Sequence, residues 1–479
     1  MYKALFFLLL LTGLLIESSF IGNIEKITTI HISKDSLPSL EKATDYQNKN
    51  VLASNGPITL ISGTYNDKYQ IDSVNRKGYL YVEINVADLN QNSLKKIPLN
   101  ISLVIDRSGS MAGDKIEFAK KAAKRIVDRL DSTDYVSIVV YDNFINVIQK
   151  ATPDTNKKEI KRRIDKIIPR SSTNLWGGTQ KGYEEVMSNY RSGFINRVLL
   201  ISDGQANVGI TNPVTIKYKV QQYRDSGISL STFGVGLDYN ELLMTEMAET
   251  GAGNYYFIDS FSKMPPLFEK ELSSIMSLAA RSATLKINLP PGIKISSISD
   301  DAVYVQHGNE LLIKPGDLFS KETKSYLFRF TIPDKIKTDL KFNTSLNYVN
   351  LHNNNIDVIT NENLLSPVRD KKIYLKHFNE EVIVQVIVDA ISDNIERALL
   401  LSDEGNYVSA RELLNINDQY LKKYSNLREH SGELKKIEVV NLRYLSDLSN
   451  VKKMNADAIK MLQKMNREAL YELRNKKQR

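Results

Sequence analysis

Ile101-Ser102-Leu103-Val104-Ile105-Asp106-Arg107-Ser108-Gly109-Ser110 joins an aliphatic run to a loop bearing one carboxylate and two hydroxyls. The run is too short for a helix and rich in β-branched and aliphatic residues, which predicts a buried parallel strand opening into a loop at its carboxyl end. A helix is expected at once, because Ile116, Ala119, Ala123, Ile126, Val127 and Leu130 recur at three- and four-residue steps. Strand, oxygen-rich loop and helix in that order place the oxygens where open α/β sheets bind ligands. Carboxylate and hydroxyl oxygens together suit a hard cation.

Two later segments extend the set. Ser171-Ser172-Thr173-Asn174 opens a loop before the helical stretch Lys181 to Tyr190, and Val198-Leu199-Leu200-Ile201-Ser202-Asp203-Gly204 is a second buried strand ending in a carboxylate. Asp106, Ser108, Ser110, Thr173 and Asp203, in this order, resemble the metal-ion-dependent adhesion site of von Willebrand factor type A domains. These are the modules of the integrin I-domain and inter-alpha-trypsin inhibitor heavy-chain families. The resemblance covers Pro98 to Ala283 and implies a doubly wound, mostly parallel Rossmann-like sheet. It also implies that Ser108, Ser110 and, in a ligand-bound state, Thr173 touch the metal directly, with Asp106 and Asp203 acting largely through waters. The implied ion is Mg²⁺, with Mn²⁺ or Ca²⁺ as alternatives. Mg²⁺ takes six oxygens and keeps several waters, so a site with few charged ligands leaves room for a partner's Asp or Glu. Competing readings are a purely load-carrying metal site and an empty loop held by Ser and Asp hydrogen bonds. Trp176, Asn143, Phe144, Asn207 and Tyr239 are expected on the same face as partner-binding candidates. Trp176 has the rival role of a buried support for Thr173. Ser262 to Ala279 matches the family's C-terminal helix, whose displacement can couple to metal-site geometry.

The remaining chain divides by pattern. Residues 1–21 read as an export signal, with Lys3 ahead of the apolar run Ala4 to Ile16, and an uncleaved anchor as the alternative. Residues 22–56 read as a polar linker, and 57–96 as strands that pair with a later sandwich. Residues 97–282 form the type A domain, with strands at Ile101–Ile105, Tyr135–Tyr141, Val198–Ser202 and Ser229–Val235, and an antiparallel edge within Asn143–Ile148. Helices are expected at Asp114–Leu130, Lys157–Ile167, Pro213–Asp225, Asn240–Thr250 and Ser262–Ala279. Residues 283–375 alternate as a β-sandwich, and 376–479 read as helical. The last stretch is rich in Lys and Arg, which suits either a basic tail for an acidic or lipid surface or a solvated amphipathic helix.

Composition narrows the chemistry. With 42% hydrophobic and 25% charged residues the chain is ordinary for a globular protein. Zero cysteines exclude disulfides, thiolate metal sites and a cysteine nucleophile. A net charge of +8 is modest for 479 residues, and no nucleic-acid-binding motif accompanies it. All five histidines lie outside the type A stretch, and no G-x-S-x-G, H-E-x-x-H or G-x-x-x-x-G-K-[ST] occurs, so no enzyme is expected. No stretch after the signal is long and apolar enough to span a bilayer. The expected function is an exported (periplasmic, secreted or cell-surface) module that binds a protein partner's acidic residue through Mg²⁺. The alternative is an envelope-complex scaffold acting through the helical region, with a structural metal only. A chelatase-like subunit of a cytoplasmic machine uses the same fold but conflicts with the export signal.

Overall fold

The computed structural model describes residues 37–474, apart from 39, 41–44, 48, 75, 90–96, 154–155, 171, 300–301, 303 and 352–354. The expected export signal, 1–21, lies outside the described residues. Five strands come first: β1 (Tyr46–Gln47), β2 (Val51–Asn55), β3 (Ile58–Thr64), β4 (Lys68–Gln70) and β5 (Arg76–Val86). The stretch read as a linker therefore holds β1 and β2. Neither carries a periodic signal, because β1 has two residues and β2 is a largely exposed sheet edge paired only with β3. Leu40 is buried against the helical region, where Tyr424 donates a hydrogen bond to its carbonyl at 3.3 Å.

An α/β sheet follows. Its elements are β6 (Leu99–Asp106), α1 (Asp114–Arg129), β7 (Tyr135–Tyr141), β8 (Ile145–Thr152), α2 (Lys157–Asp165), α3 (Leu175–Ser188), β9 (Ile195–Ser202), α4 (Pro213–Asp225), β10 (Ser229–Val235), α5 (Glu241–Thr250), β11 (Tyr255–Ile258) and α6 (Met264–Ile275). The strand order is β11-β10-β9-β6-β7-β8, parallel except for the antiparallel edge β8. Every residue of β6 and β9 is buried, which is why both read as largely apolar stretches despite the buried polar residues Asn100, Ser102, Asn196 and Arg197. Ile101, Leu103 and Ile105 pack towards α1, α2 and α6, while Val104 packs towards α3, α4 and α5. Each such aliphatic side chain contributes roughly 1.5–3 kcal/mol by leaving water.

Helix α3 starts at Leu175, six residues before the Lys181 expected from the pattern. The early turns are glycine-rich for a packing reason. A Cβ at Gly182 would sit 2.4 Å from Val104 Cγ2, and one at Gly178 would sit 2.4 Å from the Tyr141 ring. Side chains there would push the helix off the sheet.

Helix α6 is tied down by a buried ion pair. Glu271 Oε1 lies 2.7 Å from Arg197 Nη1 and accepts from Ser231 at 2.5 Å. Its other oxygen accepts from Asn254 at 2.6 Å and Tyr256 at 2.8 Å. Burial alone would raise the Glu271 carboxyl, but Arg197 and these donors outweigh it and hold the group below the usual carboxylate range. Sliding this helix would break all four contacts.

Two further sheets form a sandwich with one shared core. They add β12 (Leu278–Asn288), β13 (Lys294–Ile298), β14 (Tyr304–His307), β15 (Glu310–Phe319), β16 (Thr323–Ile332), β17 (Leu340–Asn350) and β18 (Ile356–Val368). One sheet runs β14-β15-β12-β17-β18-β4 and the other β13-β16-β5-β3-β2. Because β16 pairs with β5, the α/β sheet lies in sequence between hydrogen-bonded strands of one sheet. Leu80, Val82 and Ile84 of β5 face the sandwich core, and Tyr79 and Tyr81 face the helices.

The C-terminal part comprises α7 (Lys371–Tyr374), β19 (Phe378–Asn379), α8 (Glu380–Asp403), α9 (Tyr407–Lys423), α10 (Ser425–His430), α11 (Gly432–Asn450) and α12 (Ala456–Arg474). A buried chain of amides, Asn394 to Asn417 at 2.8 Å and Asn417 to Asn441 at 3.0 Å, joins α8, α9 and α11. No described helix is long and apolar enough to cross a membrane.

Helix α12 is less solvated than expected, and Lys476, Lys477 and Arg479 of the expected basic stretch lie outside the described residues. Two of its cations turn inward. Lys464 lies 3.6 Å from the Tyr239 ring centre and 3.7 Å from Glu241, which Arg467 also meets at 3.3 Å. Arg467 bonds Asp403 of α8 as well, and the Tyr255 N–H of β11 donates to the Tyr471 hydroxyl at 3.0 Å. The acidic surface that this basic helix fits is the chain's own.

Two outcomes are expected. Glu271→Ala strands the Arg197 charge in the core and costs about 3–5 kcal/mol in chemical denaturation. Burial, only partly offset by Glu241, lowers the Lys464 ammonium from 10.5 to about 8. Below pH 8 both folded and unfolded chains hold that proton. Between about pH 8 and pH 10.5 the folded chain releases it first, so this group's contribution to stability rises with pH. Subtracting the pH profile of Lys464→Met from that of the wild type isolates the rise, and a flat difference refutes it.

Candidate metal centre

The candidate residues meet where β6 and β9, neighbours in the sheet, end. Asp106 closes β6 and is fully buried. Its Oδ1 accepts from the Ser108 N–H at 2.8 Å, and its Oδ2 accepts from Ser202 at 2.7 Å and Tyr141 at 3.3 Å. Burial raises the Asp106 carboxyl to about 6, with Ser108 and Ser202 pulling down and Asp203 pushing up. Burial likewise pushes the Tyr141 hydroxyl well above its ordinary value.

The Ser108 and Ser110 hydroxyls are 3.0 Å apart, and Ser110 donates to Asp203 Oδ1 at 2.8 Å. Asp203 is fully buried, and its Oδ2 receives the Lys115 ammonium at 2.5 Å. Thr173 closes the group from the third loop. Its Oγ1 would lie 3.0 Å from a Cβ on Gly204, the residue after Asp203, so glycine permits the approach. Asn207 holds Thr173 in place, accepting its N–H at 2.9 Å and donating its own N–H to the Thr173 carbonyl at 3.2 Å.

A neighbouring loop braces the site. The Arg107 N–H donates to the Tyr141 carbonyl at 2.9 Å, and the Arg107 guanidinium meets buried Asp142 at 3.0 Å, a charge contact without hydrogen-bond alignment. The Asp142 carbonyl accepts the Asn174 N–H at 2.9 Å, linking this loop to Thr173.

Chemically this is an oxygen site with two carboxylates and three hydroxyls. Among the described residues no three His, Cys, Asp or Glu side chains form a metal cluster. The donor set excludes a thiolate or imidazole type of site and fits a hard cation that keeps several waters. The ammonium seated on Asp203 shows that positive charge is accommodated there.

The partner-binding candidates divide. Phe144 is 64% exposed and Asn143 is exposed, both on the loop that starts at Asp142. Asn207 is exposed and positions Thr173. Trp176 is only 2% exposed, packed in the core under its own helix with its indole N–H on Gln180 at 2.9 Å. It is a support and no surface anchor. Tyr239 is likewise buried, its hydroxyl 2.6 Å from that of Tyr255 and its ring beneath Lys464 of α12. Residue-by-residue reading missed Ser202, Tyr141 and Lys115. Lys115 left a trace, being a cation in the first turn of a helix, where the dipole favours anions and a carboxylate partner is needed.

With a six-stranded sheet of this order and an oxygen cluster at its strand ends, comparison with known proteins is decisive. The sequence model of the von Willebrand factor type A domain matches residues 100–270. This part of the chain is a von Willebrand factor type A domain. Escherichia coli YfbK, itself uncharacterized, is 31% identical over 257 residues, covering 52% of this chain and 45% of YfbK. Mouse inter-alpha-trypsin inhibitor heavy chain H3 is 29% identical over 178 residues, covering 35% of this chain and 20% of that protein. The chain thus spans less than half the length of these curated relatives. Among solved structures, a von Willebrand factor type A protein from Catenulispora acidiphila aligns with a TM-score of 0.66 at 14% identity, over 82% of this chain and 92% of that one. The ArnB paralog VWA2 from Sulfolobus acidocaldarius aligns at 0.53 and 17% identity, over 86% and 98%. These two likenesses concern the fold, and both reach well beyond the type A domain.

The environment of Asp106 yields a stability test. Ser202→Ala removes its shortest side-chain donor and leaves a buried carboxylate under-bonded, costing about 1.5–3 kcal/mol in denaturation. Tyr141→Phe, at the longer distance, costs less.

Proposed function

We propose that this chain is an exported, non-catalytic protein-binding module whose type A domain recognises an acidic residue of a partner protein through Mg²⁺. Asp106, Ser108, Ser110, Thr173 and Asp203 would hold the ion. Bound there, Mg²⁺ would supply an open coordination position for a carboxylate. The two aspartates carry the charge, and the three hydroxyls add oxygens without neutralising the ion further. The observation that carries this reading is the convergence of three loops, in which Ser108, Ser110 and Asp203 are linked by hydrogen bonds and Thr173 abuts Gly204. Export rests on the N-terminal sequence pattern, and acidic-residue recognition on the neutral character of the hydroxyls.

The surface beside the site supports the same reading. Phe144 gives the face a large exposed apolar group, such as a partner would cover. Exposed Arg170, whose N–H donates to the Arg107 carbonyl at 2.7 Å, puts positive charge at the border of the loop and favours an acidic visitor.

A pull-down from an extract of the source organism, with Mg²⁺ and then with chelator, tests the proposal. Capture is expected with Mg²⁺ and lost with chelator, and Ser108→Ala is expected to lower it at least tenfold, about 1.4 kcal/mol. Chelator-insensitive capture, unchanged by Ser108→Ala, refutes it. Deleting the helical region is a poor control. Removing α12 unpairs Glu241 and uncovers Tyr255 within the type A domain itself.

A further inference from the structure

The Lys115–Asp203 pair has a property that a support for the loop would not need. Asp203 is fully buried, and its two oxygens are divided between Ser110 and Lys115. The lysine approaches across Gly236, where a Cβ would lie 3.5 Å from its Cε. Its side chain keeps 19% of its exposure, so it has a way out to solvent. The residue lies in the first turn of α1, where the helix dipole opposes a cation. Its place there is therefore maintained by the carboxylate. Exposed Asp238, paired with Lys460 at 2.7 Å, lies near enough for Lys115 to add to the lowering of its carboxyl that Lys460 mainly causes.

We propose that Lys115 is a tethered counter-ion that competes with the divalent cation for Asp203 and so sets the affinity of the site. This rests on the Mg²⁺ reading above and adds its regulation. In the metal-free protein the ammonium neutralises Asp203 and keeps a buried carboxylate from standing alone. With a divalent cation present, two positive centres share one carboxylate at close range, and the lysine moves outward towards solvent and Asp238. The same pairing would then both support the metal-free site and hold down its affinity for the cation. The chain gives up affinity to gain a site that empties without collapsing.

Calorimetric Mg²⁺ titration of the full chain, wild type against Lys115→Gln and Lys115→Arg, tests this. Lys115→Gln keeps a hydrogen-bond donor but removes the charge, and is expected to bind Mg²⁺ on the order of tenfold more tightly. Lys115→Arg keeps the charge and is expected to stay near the wild type. Equal or weaker binding by Lys115→Gln overturns the proposal and makes the lysine a positioning residue for Asp203. If the wild type and both variants take up no Mg²⁺, the reading of the site as a Mg²⁺ centre falls first. Should Lys115→Gln be too unstable without metal to titrate, thermal unfolding with and without Mg²⁺ decides. A larger Mg²⁺-induced rise in Tm than in the wild type upholds the proposal, and an equal or smaller one overturns it.

Discussion

Two carboxylates, Asp106 and Asp203, sit fully buried at the ends of adjacent strands, and the surrounding architecture answers the difficulty they create. Removal from water resists ionisation, which is chiefly why Asp106 is pushed up to about 6, with the like charge of Asp203 adding a lesser push. The chain responds with donors from every side: a backbone N–H from Ser108, hydroxyls from Ser202, Tyr141 and Ser110, and one ammonium. None of these is a second strong acid or a soft ligand. The result is a concentrated, incompletely neutralised negative centre at the rim of a rigid sheet.

The rest of the molecule is joined to that sheet more firmly than a chain of separate modules would be. The α/β sheet is bracketed by the β5–β16 pairing, and β5 is buried on both faces, against the sandwich on one side and the helices on the other. Helix α12 closes the circuit by touching α5 and β11 of the α/β sheet and α8 of the helical part. Its charges make this contact specific, since Glu241 has two cationic partners and Asp403 shares one of them. Glu271 adds a further fastening at α6, so the family's helix displacement would here have to break a buried ion pair.

What was legible in the sequence follows the physics of each element. The buried strands β6, β7, β9 and β10 stood out because covered parallel strands are short, mostly apolar segments, and α4 was bounded by Pro213 at its first turn. The start of α3 was hidden by glycines whose role is to approach β6 and β7, a purpose invisible without those strands. Four-residue β11 is too short to show a period, and β1 and β2 lack an apolar pattern because they are margins. At the site, the five oxygen-bearing residues could be picked out by their order along the chain. Ser202, Tyr141 and Lys115 could not, because their contacts depend on which strands and loops become neighbours. Tyr239 failed as a surface candidate for the same reason, since tertiary packing covers it, while Trp176 takes the buried one of its two expected roles.

The junction between α6 and β12 carries a mechanical meaning. Only Met276 and Ser277 separate the helix from the strand, and the Ser277 carbonyl accepts the Ser320 N–H at 2.9 Å. Traction on the rim loops therefore passes down a short, stiff coupling into the sandwich, with almost no slack to take up. Load borne at the tip would be felt as torque at the base, as in a lever with a welded root.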